Sequence, residues 1–281
     1  MAKNSPTRLF FHFPVYNETV NRQELSSLLQ DLPLGAVRWY DTLLSTNTCA
    51  LEWLRDIPQE YSLVVTDHQT AGYGRNRRAW HSRAGASLTF SIIVYPDQAE
   101  KDVLPLFSPL AALAVCNAIA SYHSKTDLAV KWPNDVLLDR KKVAGILVEA
   151  AWQGDALAGL VIGIGVNIQQ ASLPSADDLL FPAISLEQAL GQPIERWDFL
   201  HRILKALLAL RAIFPSPEFM EAWRRKLAFL GQPVTISKPG GEKQTGIFMG
   251  VDEQGYLMLK EKNGRCSHFL LGDISLRPNS Q

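Results

Sequence analysis

The sequence predicts an α+β protein in which a mixed, largely antiparallel sheet with helices forms a large domain and a small β-barrel follows it. Three apolar segments between residues 128 and 168 are joined by connections of about three residues, which favour antiparallel hairpins over parallel crossovers. Helical patterns precede and follow these segments. After Gly231 the chain changes to short strands separated by glycine-rich turns, a pattern typical of a small barrel.

Three regions follow from this pattern: a short extension (1–36), a large domain (37–229) and a barrel domain (230–281). The extension contains one helical segment, 22–30, which ends before Leu32-Pro33. A helix-turn-helix domain needs roughly twice the length of this extension, so we expect no DNA-binding domain here.

The large domain is predicted element by element from its hydrophobic periodicity. Helices are expected at 48–55, at 109–122 and, interrupted at 214–217, at 196–229. Strands are expected at 62–69, 87–95 (half-buried, by its alternation), 128–132 with 136–138, 143–152 and 156–168. The barrel strands are expected at 234–236, 244–251, 256–261, 266–270 and 274–277.

Composition and charge restrict the class of protein. The chain of 281 residues is 47% hydrophobic and 20% charged, as in a globular protein with a core. Its 28 basic and 28 acidic residues cancel, which argues against nucleic acid as the principal partner. Three distant cysteines indicate reduced thiols rather than disulfides or a zinc site.

The run 103–124 carries no charge, as a membrane span would. It is rich in alanine and interrupted by proline, serine and asparagine, which indicates a buried helix instead. We therefore expect a cytoplasmic protein with no membrane partner.

The segment 131–150, KWPNDVLLDRKKVAGILVEA, carries two lysines within apparently buried strand sequence. Lysine is rarely buried without a partner, so Lys131 and Lys142 predict a nearby anion. Gly145 follows the second lysine, and a polar Pro-Asn-Asp corner separates the two. The alternative is a surface hairpin with two solvated lysines and an ordinary turn at Asn134 and Asp135.

A second segment, 70–80, combines Gly72 and Gly74 with three arginines, Arg75, Arg77 and Arg78. Glycines permit close backbone approach to a ligand, and guanidinium groups suit phosphate or carboxylate. The segment is neither a Walker loop nor a dinucleotide fingerprint. A solvated basic loop is the alternative.

A third segment, 161–168, places Gly163 and Gly165 inside an apolar strand that ends at Asn167. Such glycines mark the close approach of a ligand or another backbone, or tight packing against a helix. The spacing alone leaves these alternatives open.

Together these segments resemble the biotin protein ligases, from about residue 37 to residue 277. The resemblance rests on Ser45-Thr46-Asn47, Gln69, Lys131-Trp132-Pro133-Asn134-Asp135, the run from Lys142 to Glu149, and Asp273-Ile274-Ser275-Leu276-Arg277. It implies a catalytic domain like those of class II aminoacyl-tRNA synthetases with a C-terminal Src-homology-3-like barrel. It also implies a monofunctional ligase without a repressor role.

The resemblance implies a reaction and its site. Biotin and ATP give biotinyl-5′-AMP, with Mg²⁺ as cofactor, and biotin then passes to a lysine of the biotin carboxyl carrier protein of acetyl-CoA carboxylase. Lys142 and Arg75 are the implied catalytic residues. The implied biotin-binding residues are Ser45, Thr46, Asn47, Gln69, Gly72, Tyr73, Gly74, Arg75, Lys142 and Gly145. The implied ATP-binding residues are Arg75, Arg78, Trp80, Lys131, Asn134, Asp135, Asn167 and Arg277, with Asp135 also the metal candidate.

The chain departs from the family pattern at Tyr73, where the family commonly has arginine between the two glycines. Phe181 is the candidate for stacking on adenine. The competing hypotheses are a lipoate- or octanoyl-transferring enzyme of the same superfamily, a biotin sensor without ligase activity, and an RNA-binding protein. We expect a monomer or a homodimer.

Overall fold

A computed structural model describes residues 21–175, 179, 181–237, 242–270 and 275–278, with the side chains of 21–23 and 275–278 excluded. The helices are α1 (Asn21–Leu28), α2 (Thr46–Trp53), α3 (Gln98–Lys101), α4 (Phe107–Ala120), α5 (Leu186–Leu190), α6 (Arg196–Arg211) and α7 (Pro217–Arg224). The strands of the larger sheet are β1 (Val37–Leu43), β2 (Leu63–Gln69), β3 (Ser87–Val94), β4 (Leu128–Lys131), β5 (Asp135–Leu138), β6 (Lys141–Gln153) and β7 (Ala156–Asn167). Those of the smaller sheet are β8 (Pro233–Ser237), β9 (Lys243–Val251), β10 (Leu257–Lys260), β11 (Cys266–Phe269) and β12 (Ser275–Pro278).

The larger sheet has seven strands in the order β1-β2-β3-β7-β6-β5-β4. Only β1 and β2 run parallel to each other, and every other neighbouring pair in this sheet is antiparallel. The meander from β4 to β7 confirms the prediction made from the short connections. Because β6 and β7 pair from Ala144↔Val166 to Gln153↔Ala156, they bring two of the three motif segments side by side.

Strand β3 differs from its predicted half-buried state, since all eight of its residues are buried. Helix α2 packs on one face of the sheet at this strand, and the core of α4 and α6 lies on the other. The alternation of apolar and polar residue types in β3 therefore does not indicate that one face of the strand is exposed to solvent.

Several helix boundaries differ from the predicted ones, including those of α1, α2, α4 and α7. Helix α2 begins two residues earlier than predicted because the Ser45 hydroxyl accepts a hydrogen bond from the Thr48 N–H and caps it. The long helical region is divided as predicted, but α7 ends at Arg224 rather than at residue 229. Within the described residues, no helix is long and apolar enough to cross a membrane.

The smaller sheet is antiparallel, in the order β11-β10-β9-β8-β12. It packs against the larger domain through the turn before β10. The indole N–H of the fully buried Trp132 donates to the Gly255 carbonyl oxygen at 3.2 Å. Gly255 has a φ of +80°, and a Cβ there would lie 2.5 Å from Leu106.

Replacement of Gly255 by alanine should therefore destabilise the contact between the two sheets. Gly231→Ala is the matched control, because Gly231 also has positive φ (+72°) but nothing within 4 Å of an added Cβ. We expect Gly255→Ala to lower the free energy of unfolding by about 1–3 kcal/mol more than the control does, through overpacking. Urea unfolding followed by tryptophan fluorescence measures this difference, and equal losses would contradict it.

Candidate active site

Nearly all of the predicted site residues line one cavity. Its lining includes Ser45, Thr46, Asn47, Gln69, Tyr73, Gly74, Arg75, Arg78, Trp80, Lys131, Asn134, Asp135, Lys142, Gly145 and Asn167. Gly72 is not in the lining but lies beneath it, where a Cβ would come within 2.7 Å of the Gln69 side chain. The side chain of Arg277 lies outside the described residues.

The anion beside the two lysines is a group of the protein itself, the carboxylate of Asp135. Lys131 Nζ lies 3.0 Å from one carboxylate oxygen, and Lys142 Nζ lies 2.6 Å from the other. Lys131 is buried and Lys142 is partly open to the cavity, with 27% of its side chain exposed. Burial alone would raise the pKa of Asp135, but the two ammonium groups outweigh it and hold that pKa well below its usual range.

The strand register explains why Lys142 points at Asp135. Lys131 pairs with Asp135 between β4 and β5, and Asp135 pairs with Gly145 between β5 and β6. A one-residue bulge in β6 separates the pair Val136↔Ala144 from Leu137↔Lys142. The backbone of Lys142 is held from the other side, since its N–H donates to the Pro182 carbonyl at 2.7 Å. Bulges of this kind redirect side chains at sites.

The glycines of the first and third motifs make room for side chains. Gly145 and Gly165 face each other across β6 and β7, and Trp80 lies against both. A Cβ on Gly165 would lie 2.4 Å from the indole ring of Trp80. At Gly163 a Cβ would lie 2.0 Å from Asn47 Oδ1, so this glycine admits a side chain of α2. Close approach and packing against a helix therefore both occur in one strand.

Hydroxyl and amide groups form a connected cluster at the start of α2. Gln69 Oε1 accepts hydrogen bonds from the Thr46 backbone N–H at 2.7 Å and from the Thr46 hydroxyl at 3.1 Å. The buried Ser91 hydroxyl lies 2.8 Å from Thr46 Oγ1 and donates to Asn47 Oδ1 at 2.6 Å. Asn47 Nδ2 donates to Glu149 at 2.8 Å. The amide of Asn47 is thus engaged by the protein itself.

The glycine–arginine segment is a small hairpin over the cavity. Tyr73 and Ala79 form an antiparallel bridge, and the Trp80 N–H donates to the Gly72 carbonyl at 2.8 Å. Arg75 Nη1 lies 3.5 Å from Asn134 Oδ1, which joins the hairpin to the corner between β4 and β5. Asn76 and Arg77 both have positive φ, near +55°, at the tip. Arg78 is exposed at the cavity rim.

Tyr73 fastens this hairpin to β6. Its hydroxyl donates to Glu149 Oε2 at 3.0 Å, and the Arg77 guanidinium carbon lies 4.5 Å from the centre of its ring. Burial raises the pKa of Tyr73, and the negative charge of Glu149 raises it further. The phenol therefore keeps its proton at neutral pH.

Two groups of this site were missed by sequence reasoning, Ser91 and Glu149, which belong to the hydrogen-bonded cluster beneath the cavity. Phe181, the candidate for stacking on adenine, does line the cavity, with Lys131 Nζ 5.0 Å from its ring centre. A signal existed for Glu149, because the two-residue period of a strand places it on the same face as Gly145. The polar residues of β3 offered no such signal.

The carboxylate of Asp135 does not fit a metal ion in this arrangement. Both of its oxygens are already paired with lysine ammonium groups, which compete with a cation for the same lone pairs. No cluster of three or more histidine, cysteine, aspartate or glutamate side chains within the described residues could hold a metal. The metal prediction for Asp135 thus lacks geometric support.

The arrangement is suited to joining two anions in a partly enclosed cavity. Lys142 and Arg75 both line the cavity, one on β6 and one on the hairpin. Preorganised cations of this kind stabilise negative charge that develops on a carboxylate or a phosphate. The hydroxyl and amide cluster at α2 offers neutral donors and acceptors to a polar, uncharged group.

Comparison with known proteins adds independent findings. Residues 39–167 match the "Biotin/lipoate A/B protein ligase family", and residues 229–277 match the "Biotin protein ligase C terminal domain". The chain is 34% identical over 209 residues to the biotin–[acetyl-CoA-carboxylase] ligase of Paracoccus denitrificans, covering 72% of this chain and 85% of that protein. It is also 34% identical over 230 residues to the bifunctional ligase/repressor BirA of Bacillus subtilis, covering 80% of this chain and 70% of BirA.

A solved structure shares the fold. The biotin protein ligase of Aquifex aeolicus in complex with biotin and ATP superposes with a TM-score of 0.73 at 28% identity, covering 87% of this chain and 99% of that one.

Proposed function

The chain belongs to the biotin protein ligase family, and from that premise we propose which role each site residue has in an ATP-dependent biotin ligase. The reaction forms biotinyl-5′-AMP from biotin and ATP and then transfers biotin to a lysine of the carrier protein of acetyl-CoA carboxylase. The observation that carries this assignment is the pair of cations, Lys142 and Arg75, facing one cavity that also holds the Thr46–Gln69 cluster.

The first step needs cations at the point where two anions meet. A carboxylate oxygen of biotin attacks the α-phosphorus of ATP, and the bond from that phosphorus to the bridging oxygen breaks and releases pyrophosphate. Lys142 and Arg75 would neutralise the carboxylate and the charge that grows on the phosphate oxygens. Asp135 would orient the ammonium group of Lys142, from which it is separated by 2.6 Å.

The second step transfers the acyl group. The uncharged ε-amine of the acceptor lysine attacks the acyl carbon of the adenylate, the bond to the AMP oxygen breaks, and the amine loses a proton. The adenylate is sensitive to water in the meantime. The hairpin over the cavity would shield it.

We propose that the biotin ring binds beside α2. The ureido group of biotin carries one carbonyl and two N–H groups, and Ser45, Thr46 and Gln69 present hydroxyl and amide groups to the cavity. Gly72, Tyr73, Gly74 and Gly145 would border this region. Asn47 would act by positioning, since its amide already binds Ser91 and Glu149.

The nucleotide is proposed to bind at the other end of the cavity. The residues assigned to it are Arg75, Arg78, Trp80, Lys131, Asn134, Asp135, Asn167 and Arg277. The buried indole N–H of Trp80 has no hydrogen-bond partner among the described residues. Phe181 remains the candidate for stacking on adenine. Mg²⁺ would enter with the ATP phosphates, because Asp135 is already paired.

We further propose that residues 37–229 form the catalytic unit and residues 230–281 a separate barrel, with 1–36 as an extension. The match of residues 229–277 to a C-terminal domain family supports this division. A cytoplasmic location and a monomeric or homodimeric state remain predictions.

Biotin-dependent exchange of labelled pyrophosphate into ATP tests the function. We expect exchange with biotin and none with lipoate or octanoate. Exchange that depends on lipoate would favour the related transferase, and binding of biotin without exchange would favour a sensor. Transfer of labelled biotin to the isolated carrier domain tests the second step.

A further inference from the structure

The contact between Tyr73 and Glu149 joins the hairpin to strand β6. Neither side chain takes part in the chemical steps of the reaction. The hydroxyl of Tyr73 lies 3.0 Å from Glu149 Oε2 and 3.5 Å from the Thr48 hydroxyl.

Glu149 also connects the hairpin to the cluster beside α2. Its Oε2 atom accepts from both Tyr73 and Asn47 Nδ2, the latter at 2.8 Å. From Asn47 the chain of hydrogen bonds continues through Ser91 to Thr46. One carboxylate therefore links the proposed lid to the proposed floor of the biotin site.

The Tyr73–Glu149 bond is of the stronger kind. Its acceptor is a carboxylate oxygen, the donor is partly buried, and Arg77 lies over the aromatic ring at 4.5 Å. Loss of a hydrogen bond to a charged group changes an equilibrium by about tenfold to a hundredfold. A bond of that strength is sufficient to decide how often a short hairpin opens.

We propose that Tyr73 and Glu149 are positioning residues that latch the hairpin 72–80 over the adenylate, so that this chain retains the intermediate through a contact within the protein. The inference rests on the proposed function. Neither residue acts on the reacting atoms. Both set how long the closed hairpin persists.

The test follows the release of synthetic biotinyl-5′-AMP, which bypasses catalysis. Enzyme loaded with labelled adenylate is chased with excess unlabelled adenylate, and the dissociation rate is compared for the wild type, Tyr73→Phe and Tyr122→Phe. Tyr122 is a close match, because its hydroxyl donates to Asp198 at 2.8 Å and Arg202 lies over its ring at 4.7 Å, away from the cavity lining. Both variants lose one tyrosine–carboxylate bond.

We expect Tyr73→Phe to release the adenylate about tenfold faster, and Tyr122→Phe to release it at the wild-type rate. Equal rates in Tyr73→Phe and the wild type would overturn the latch, and so would equal acceleration in both variants. Glu149→Gln should also accelerate release. Because both changes act on one bond, the double variant should release no faster than the faster single variant, and additive effects would overturn the proposal.

A second measurement separates the latch from the proposed function. In ligand-free protein, trypsin should cut after Arg75, Arg77 or Arg78 about tenfold faster in Tyr73→Phe than in Tyr122→Phe. A wild type that does not bind the adenylate would refute the proposed function, and the trypsin rates would still test the latch. Equal trypsin rates would refute the latch alone.

Discussion

Replacement of Lys142 by alanine should reduce biotin-dependent pyrophosphate exchange by at least about 10²–10³ while the protein stays folded. The ammonium group of Lys142 faces the cavity from the bulge in β6, where the carboxylate and the α-phosphate would meet. The fold should tolerate the change because Asp135 keeps its second partner, Lys131, at 3.0 Å. The exchange assay and a thermal unfolding curve together measure the two halves of this prediction.

Lys141→Ala is the control for Lys142→Ala, because Lys141 is the exposed neighbour at the start of the same strand. It should exchange pyrophosphate at the wild-type rate. Normal exchange in Lys142→Ala would remove that residue from its proposed role. A loss in both variants would point to disruption of β6 instead.

Replacement of Asp135 by asparagine should cost about 3–5 kcal/mol of folding free energy, the usual penalty for removing one partner of a buried ion pair. Lys131 is only 3% exposed, so its ammonium group would lose the carboxylate 3.0 Å away while remaining largely shielded from water. Lys142 would stand near it with the same sign. Urea unfolding measures the loss, with the exposed Asp139→Asn as the matched control.

A second change should restore part of that stability. In Asp135→Asn combined with Lys131→Met, both members of the Lys131–Asp135 ion pair lose their charge, and a buried pair replaced by residues without charge is often neutral in stability. The double variant should therefore be more stable than Asp135→Asn alone. If it is less stable, then charge compensation is not what Asp135 contributes.

The same carboxylate predicts a dependence on pH. The pKa of Asp135 is lower in the folded protein than in the unfolded chain, so its contribution is fully present above the unfolded value of about 3.9. It is lost as the pH falls from there through the folded value. Asp135→Asn should accordingly show a shallower loss of stability in acid than the wild type, and parallel curves would contradict this.

The ion triad also changes how the first motif is interpreted. Two lysines in buried sequence predicted an anion, and the alternatives were a ligand or a solvated hairpin. The first anion is Asp135, four residues after Lys131. The lysines are thus oriented before any substrate arrives, which is the preorganisation that electrostatic catalysis needs.

Much of the fold was predictable because it depends on local sequence. Connections of about three residues leave strands β5, β6 and β7 little choice but antiparallel pairing. The division of the last helical region follows from the prolines at 215 and 217. The burial of β3 on both faces was not predictable, since it depends on which helices pack there from elsewhere in the chain.

The residues of the candidate site were likewise predictable only in part. Residue types that are costly to bury, such as Lys131, and glycines inside a strand, such as Gly165, are visible in a sequence because they violate local preference. Ser91 violates no such preference in its own segment, and the signal for Glu149 is only that it shares a strand face with Gly145. Their roles follow only from what lies opposite them.

The sequence by itself determined the antiparallel meander, the small second sheet and the three motif segments that resemble the biotin protein ligases. Only the tertiary structure decided that Lys131 and Lys142 share Asp135, that Gly163 admits Asn47 and Gly165 admits Trp80, and that Tyr73 is bound to Glu149. The physical reason is the range of the interactions. Hydrophobic periodicity and turn chemistry act over a few neighbouring residues, whereas the partner of a buried charge or hydroxyl is chosen by strand register and packing across distant parts of the chain.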